Sequence, residues 1–196
     1  MGSERCSRPY ILKQLEERTM PLEYGHVLGR FASDGYVGGH SVQWYCAQLE
    51  FDVRDYLFEV LSRAWDVKVY RDKRSVVDVL TVNSVDLTRY FRALNLKMVV
   101  PDMEGDVLLG YLAGLFDGDG HVAQKTAVLT IGRNKKLFAR EVEEILNNLG
   151  VGCTLRHYQY PGREESHIRI RRPYVDKFQE LIGFLSRYKK EKMTWQ

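Results

Sequence analysis

Apolar positions in this chain follow two periods, helical and alternating, and the two periods succeed each other in the same order twice. In the stretch Leu108–Asp119, Leu109, Leu112 and Phe116 fall at i, i+3 and i+7, one face of a helix. An alternating stretch, TAVLTIGR, follows it, and then a helical pattern, NKKLFAREVEEILNNLG. Two extended segments come next, VGCTLRHYQY and SHIRIRR, and PYVDKFQELIGFLSRY closes as a helix. The first half runs in parallel. HSVQWYCAQLEF alternates, DVRDYLFEVLSRAWD is helical, VKVYRD and SVVDVLTV are extended, and VDLTRYFRALN is helical. The pattern predicts an α+β fold of two α-β-β-α-β-β-α units. The units are expected over residues 1–100 and 108–196, joined at 101–107, where Pro101, Gly105 and acidic residues mark a linker.

The first helix of each unit carries the clearest self-similarity. GHVLGRFASDGYV (Gly25–Val37) aligns without gaps on GYLAGLFDGDGHV (Gly110–Val122). Gly25 and Gly29, and Gly110 and Gly114, lie four residues apart in matched places. Glycine inside a helix costs about 1 kcal/mol against alanine. Four of them are explained if the two helices pack through faces that lack side chains. Each helix ends in Asp-Gly. Gly35 and Gly120 suit a left-handed residue that stops a helix. Asp34 and Asp119 place carboxylates at the negative end of a helix dipole. If the helices pack together, the two acids approach each other, and their repulsion calls for protonation or a cation. Oxygen ligands favour a hard divalent ion.

Composition narrows the function. The 196 residues carry 29 basic and 26 acidic side chains, a net charge of +3 spread evenly over both halves, so binding to a polyanion has to come from sorting charge onto one face. No apolar run reaches the roughly 20 residues of a membrane span, and the N-terminus lacks the apolar core of a secretion signal. An intracellular, reducing location is expected. Three scattered cysteines without a C-x-x-C pair argue against a disulfide scaffold or a cysteine zinc site. His26, His40 and His121 have no mutual metal-ligand spacing.

LAGLFDGDG (Leu112–Gly120) closely resembles the signature of the LAGLIDADG homing endonucleases, departing at Phe116 and Gly118. VLGRFASDG (Val27–Gly35) is a degenerate second copy. It keeps Gly29, Asp34 and Gly35 and has Arg30 and Ala32 where the signature has Leu and Asp, which suggests a polar neighbour for Arg30. The resemblance implies two pseudo-symmetric units packed through their motif helices, with antiparallel sheets forming a DNA-binding saddle. It implies a monomer that cuts both strands of a long asymmetric target, as in intron homing, with about two or three Mg2+ ions, replaceable by Mn2+. By the same resemblance Asp34 and Asp119 are metal ligands, completed by the carbonyls of Ser33 and Gly118. Lys97 and Lys192, which follow the third helix of each unit, are candidates for ordering the attacking water. Glu50 and Arg54 occupy the place of a water-ordering polar and basic pair. Arg133, Lys135 and Lys136 stand in the corresponding place of the second half. A free-standing or intron-encoded enzyme is expected rather than an intein. The alternatives on this fold are an intron RNA maturase, with its own intron RNA as partner, and a DNA-binding regulator that no longer cuts.

Alternation also sorts the strands. Ser41, Gln43 and Tyr45 oppose the apolar Val42, Trp44 and Cys46, and are candidates for base or phosphate contacts. Arg71 and Lys73 share a face with Val69, in a segment that resembles a DNA-contacting hairpin. In the second half Thr154, Arg156 and Tyr158 oppose Cys153 and Leu155, and His167, Arg169 and Arg171 alternate with Ile168 and Ile170.

Overall fold

The computed structural model describes residues 18–72, 76–132 and 135–194. Pro21 opens the first motif helix, where a missing N–H is of no consequence, and the Met20 N–H is satisfied by the Glu23 carboxylate at 2.8 Å. This helix, α1 (Pro21–Asp34), runs straight into β1 (Gly35–Val37). There follow β2 (Ser41–Ala47), a 3-10 turn (Gln48–Glu50), α2 (Phe51–Ser62), β3 (Val67–Asp72), β4 (Val77–Asn83) and α3 (Val85–Leu94). The second unit repeats the order with α4 (Gly105–Gly118), β5 (Gly120–Ala123), β6 (Thr126–Ile131), α5 (Lys136–Asn148), β7 (Cys153–Tyr160) and β8 (Arg163–Ile170). It closes with a 3-10 turn (Arg172–Tyr174), α6 (Val175–Leu181) and α7 (Arg187–Thr194). Each half holds one antiparallel four-stranded sheet, in the orders β1-β2-β4-β3 and β5-β6-β8-β7. The two units thus share one topology.

Two expectations are corrected. The closing helix of the second unit is not continuous: Gly183, at φ +61°, ends α6, and the chain restarts as α7. Gly35 and Gly120 are not left-handed helix stops. Gly35 is extended, at φ −90° and ψ 158°, and both glycines are the first residues of strands. Their missing side chains serve close packing instead: a Cβ would lie 2.2 Å from the Phe31 ring at Gly35 and 2.2 Å from the Phe116 carbonyl oxygen at Gly120.

The motif helices meet backbone to backbone. A Cβ on Gly29 would lie 1.9 Å from the Tyr111 carbonyl oxygen, and one on Gly114 would lie 2.4 Å from that of His26. Gly25 and Gly110 face the opposing backbone in the same way. The helix propensity these glycines forgo is therefore exchanged for close approach between the halves.

Each helix of the pair then covers its own sheet. In the first half Phe31 packs on Phe91 with ring centroids 4.3 Å apart, and Trp44 meets Phe91 at 5.5 Å. The Trp44 indole N–H donates to the Val27 carbonyl at 3.1 Å, tying β2 to α1. In the second half Phe116 packs on Phe178 at 4.8 Å, with Phe184 beside both. Full burial of each such side chain contributes about 1.5–3 kcal/mol. Cys46 and Cys153 are free and buried in this core. Among the described residues no helix is long and apolar enough to cross a membrane.

Candidate nucleic-acid interface and acidic centre

Because α1 and α4 cross through their glycines with matched geometry, their C-terminal ends deliver Asp34 and Asp119 to a common centre. Burial pushes the Asp119 carboxyl up to about 6, and the negative charge of Asp34 adds to the rise, against Lys135, Arg30 and Lys97. The two acids therefore feel each other.

The surroundings of the two acids differ. Arg30 is buried to 1% side-chain exposure on α1 and donates from Nη1 to the Asp34 carboxylate. Its Nη2 donates to the Tyr45 carbonyl at 2.8 Å and to Glu50 Oε2 at 3.0 Å. Burial disfavours the guanidinium charge, but the nearby carboxylates, Asp34 foremost, hold it above its ordinary value. Glu50, the residue before α2, gives its other oxygen to Lys189 Nζ at 2.9 Å. Lys189 belongs to α7 of the other half and also donates to the carbonyls that end α4, those of Phe116 and Gly118 at 3.4 Å and that of Asp117. An ammonium there answers the negative end of the helix dipole.

The second half mirrors this arrangement with different chemistry. Leu115 holds the motif position of Arg30, and Lys135, the residue before α5, holds the position of Glu50. Burial pulls the Lys135 ammonium down, Asp119 pushes it up, and Lys97 of the first half pulls it down again. Lys97 thus reaches across to the second half as Lys189 reaches across to the first.

Asp117, which the first copy replaces with Ala32, is fully buried and locks the halves together. It accepts from the Leu185 N–H at 2.9 Å and the Ser186 N–H at 3.0 Å, and pairs with His26 Nε2 at 2.8 Å. Burial opposes its ionisation, but His26 and the two amides hold its carboxyl below the ordinary carboxylate range.

The other residues singled out by sequence separate into groups. Asp34, Asp119, Arg30, Glu50 and Lys97 converge with the Ser33 and Gly118 ends of the motif helices. Lys192 does not join them. It is exposed, with Nζ 4.1 Å from the Tyr188 ring centroid, and the buried lysine one helical turn earlier, Lys189, takes the inner place. Arg54 is held by Asp78 at 2.6 Å and by Asp55 at 2.7 Å. Lys189 was invisible to alignment with Lys97 because the break at Gly183 shifts the phase of the last helix.

Strand register settles the faces. Gln43 stands opposite Thr81, and Thr81 opposite Lys68, so Ser41, Gln43, Tyr45, Lys68 and Tyr70 share the outer face. Arg71 stands opposite Asp78, on the helix side with Leu80 and Trp44, and donates to Asp78 at 3.1 Å. Arg71 shares this face with Val69, as alternation requires, but β3 is the edge strand and both side chains stay exposed, Arg71 to 61%. In the second half Arg156 stands opposite His167, and Thr154 opposite Arg169. With Gln124, Val128 and Tyr158 they line a shallow hollow of about 320 Å3. The Gln124 side-chain Oε1 accepts from Arg169 Nη1 at 3.2 Å, from a two-residue turn in which Gln124 and Lys125 both have positive φ. Partial burial and the neighbouring charges of His167, Arg169, Lys189 and Lys192 lower the basicity of His121. Arg171 lies past the end of β8 and stacks on Tyr174 at 4.8 Å. Lys73 and Arg133 lie outside the described residues.

Residues 106–183 match the family model of the LAGLIDADG-like domain. An A-type ATP synthase polypeptide of Methanopyrus kandleri is 30% identical over 135 residues, 68% of this chain, and the match spans 13% of that protein's length. Among solved structures, I-DmoI in complex with DNA and Ca superposes with a TM-score of 0.62 at 18% identity, over 83% of this chain and 89% of that one. The homing endonuclease I-WcaI bound to its DNA recognition sequence gives 0.61 at 14% identity, over 100% and 96%. The N-terminal LAGLIDADG domain of DUF199/WhiA gives 0.60 at 15% identity, over 93% and 96%. At these identities the superpositions establish the fold.

Proposed function

We propose, for a chain that belongs to the LAGLIDADG family, that it is a divalent-metal-dependent DNA endonuclease that grips a long asymmetric duplex as a monomer and cuts both strands. The observation that carries this is the meeting of Asp34 and Asp119 at the ends of two helices packed backbone to backbone. A regulator that only binds has no use for two carboxylates set against each other. Solved relatives include I-DmoI with DNA and Ca and with DNA and Mn, which supports a divalent ion at this centre.

The donor set fits such an ion. Asp119 is half-buried and its charge is unrelieved by any direct ion pair among the described residues. The carboxylates of Asp34 and Asp119, with the carbonyls of Ser33 and Gly118, are the groups that would hold Mg2+ or Mn2+. Bound there, the ion supplies charge stabilisation at a phosphodiester and lowers the pKa of a water. Lys97 and Lys135 add positive charge beside Asp119, where a developing oxyanion would be stabilised. Outer-face residues Arg156, His167 and Arg169 in one half and Ser41, Gln43 and Tyr45 in the other would contact the duplex, with phosphate contacts positioning it and base contacts selecting the site.

The test is a library of random duplexes incubated with the protein and Mg2+, followed by sequencing of the ends produced. Cleavage at one extended site, lost with EDTA and lost in Asp119→Asn, is expected. Tight binding to one duplex without cleavage would replace the enzyme with a DNA-binding regulator. Preference for a structured intron RNA would replace it with a maturase.

A further inference from the structure

The two motif copies differ most sharply at the position of Arg30 and Leu115. Arg30 delivers a permanent positive charge to Asp34 from inside the protein, and its second Nη is fixed by Glu50 and the Tyr45 carbonyl. Glu50 in turn is held by Lys189, so Asp34, Arg30, Glu50 and Lys189 form a closed row of alternating charges. Asp119 feels the charges of Lys135, Lys97 and Arg30 but, among the described residues, pairs directly with none of them. Leu115 is apolar, and among the described residues the Asp119 carboxylate has no hydrogen bond or direct ion pair.

An ion approaching Asp34 meets a carboxylate already satisfied by a charge-assisted hydrogen bond. Taking that carboxylate would leave a buried guanidinium with the neutral Tyr45 carbonyl and a single ion-pair partner, Glu50, which Lys189 already shares. A buried charge stripped of a partner is strongly destabilising. An ion approaching Asp119 meets nearby lysines, Lys97 and Lys135, but no cation hydrogen-bonded to the carboxylate among the described residues.

We propose that Arg30 is a resident cation of the first half-site, so that the two aspartates hold divalent ions unequally, Asp119 tightly and Asp34 only in competition with Arg30. Arg30 is a positioning residue and touches no substrate. The inference rests on the metal-dependent reading above. One consequence is an ordered reaction, in which one strand is cut before the other and a nicked duplex accumulates.

The test uses Mn2+ alone, with the full chain, counted by the loss of the free-ion paramagnetic resonance signal. The wild type is expected to bind one ion at least tenfold more tightly than any second. Asp119→Asn should remove the tight ion. Asp34→Asn should keep it, while thermal unfolding shifts downward because Arg30 has lost its partner. Arg30→Leu, which copies the second motif, should bring the second ion to within about threefold of the first. A merely structural Arg30 would change unfolding and leave the ion count alone. Two ions of equal affinity in the wild type, or loss of the tight ion in Asp34→Asn, would overturn the inference and leave the endonuclease proposal standing. Absence of any bound Mn2+ would overturn both. The wild-type and Asp34→Asn measurements decide the matter even if Arg30→Leu fails to fold.

Discussion

Glu50 and Lys189 come from opposite halves of the chain and meet at 2.9 Å, each with only 9% of its side chain exposed. This pair closes the charge row at the centre and ties α7 to the start of α2. Removing one partner of a buried pair costs about 3–5 kcal/mol, because the other charge stays buried. Lys189→Met is therefore expected to lower unfolding free energy by about that amount. Glu50→Gln/Lys189→Met should cost less than the sum of the single changes, by roughly 0.5–3 kcal/mol. Urea unfolding of the four proteins checks this, and strict additivity would mean that the pair is not coupled.

The helix crossing makes a steric prediction. Alanine normally favours a helix over glycine by about 1 kcal/mol. At Gly29 and Gly114 it should instead destabilise by ~1–3 kcal/mol or more, since the added Cβ meets opposing backbone that cannot rotate away. Thermal denaturation of Gly29→Ala and Gly114→Ala measures it. A neutral or stabilising result would show that the halves sit further apart.

DNA affinity should divide the arginines by face. Arg169→Ala and Arg156→Ala, in the outer hollow, should weaken target binding by about 1–3 kcal/mol where the contact is bidentate to a base. Arg71→Ala should leave affinity nearly unchanged, because its guanidinium is turned to Asp78 on the helix side. Gel-shift titrations at fixed salt distinguish the two classes.

Acid should act through Asp78. Hydrogen bonds from Arg54 and then Arg71 hold its carboxyl below the ordinary value, against the effect of burial. A carboxyl lowered in the folded state adds stability above its unfolded value, about 3.9, and loses it as pH falls through the folded value. The wild type should therefore lose stability below about pH 4, and Asp78→Asn should show a shallower acid limb from a lower plateau. Urea midpoints between pH 6 and pH 2 would reveal it, and parallel curves would remove Asp78 from the account.

The order of elements and the glycine contact could be read from the chain because both depend on local spacing: Leu112 and Phe116 on a helix face, Trp44 and Cys46 on a strand face, four glycines in matched places. Polar surroundings for Arg30 were also foreshadowed by its departure from the signature, and they are Asp34, Glu50 and the Tyr45 carbonyl. The face of Arg71 could be read from alternation with Val69, but its ion pair could not, since that depends on an acid, Asp78, standing on the buried side of β4 where alternation alone leads one to expect an apolar residue. Lys189 was hidden for another reason. Its position follows from where α6 stops, and the left-handed Gly183 that stops it sits inside a stretch with otherwise helical spacing.

The charge row through Arg30 has a bearing on how this protein could be rebuilt. Pairing two copies of the second half would set Lys189 of each copy against Lys135 of the other, cation against cation, where the natural pairing sets it against Glu50. A chimaera with a relative would have to import Arg30, Glu50 and Lys189 as one inheritance, since the three hold one another across the two halves.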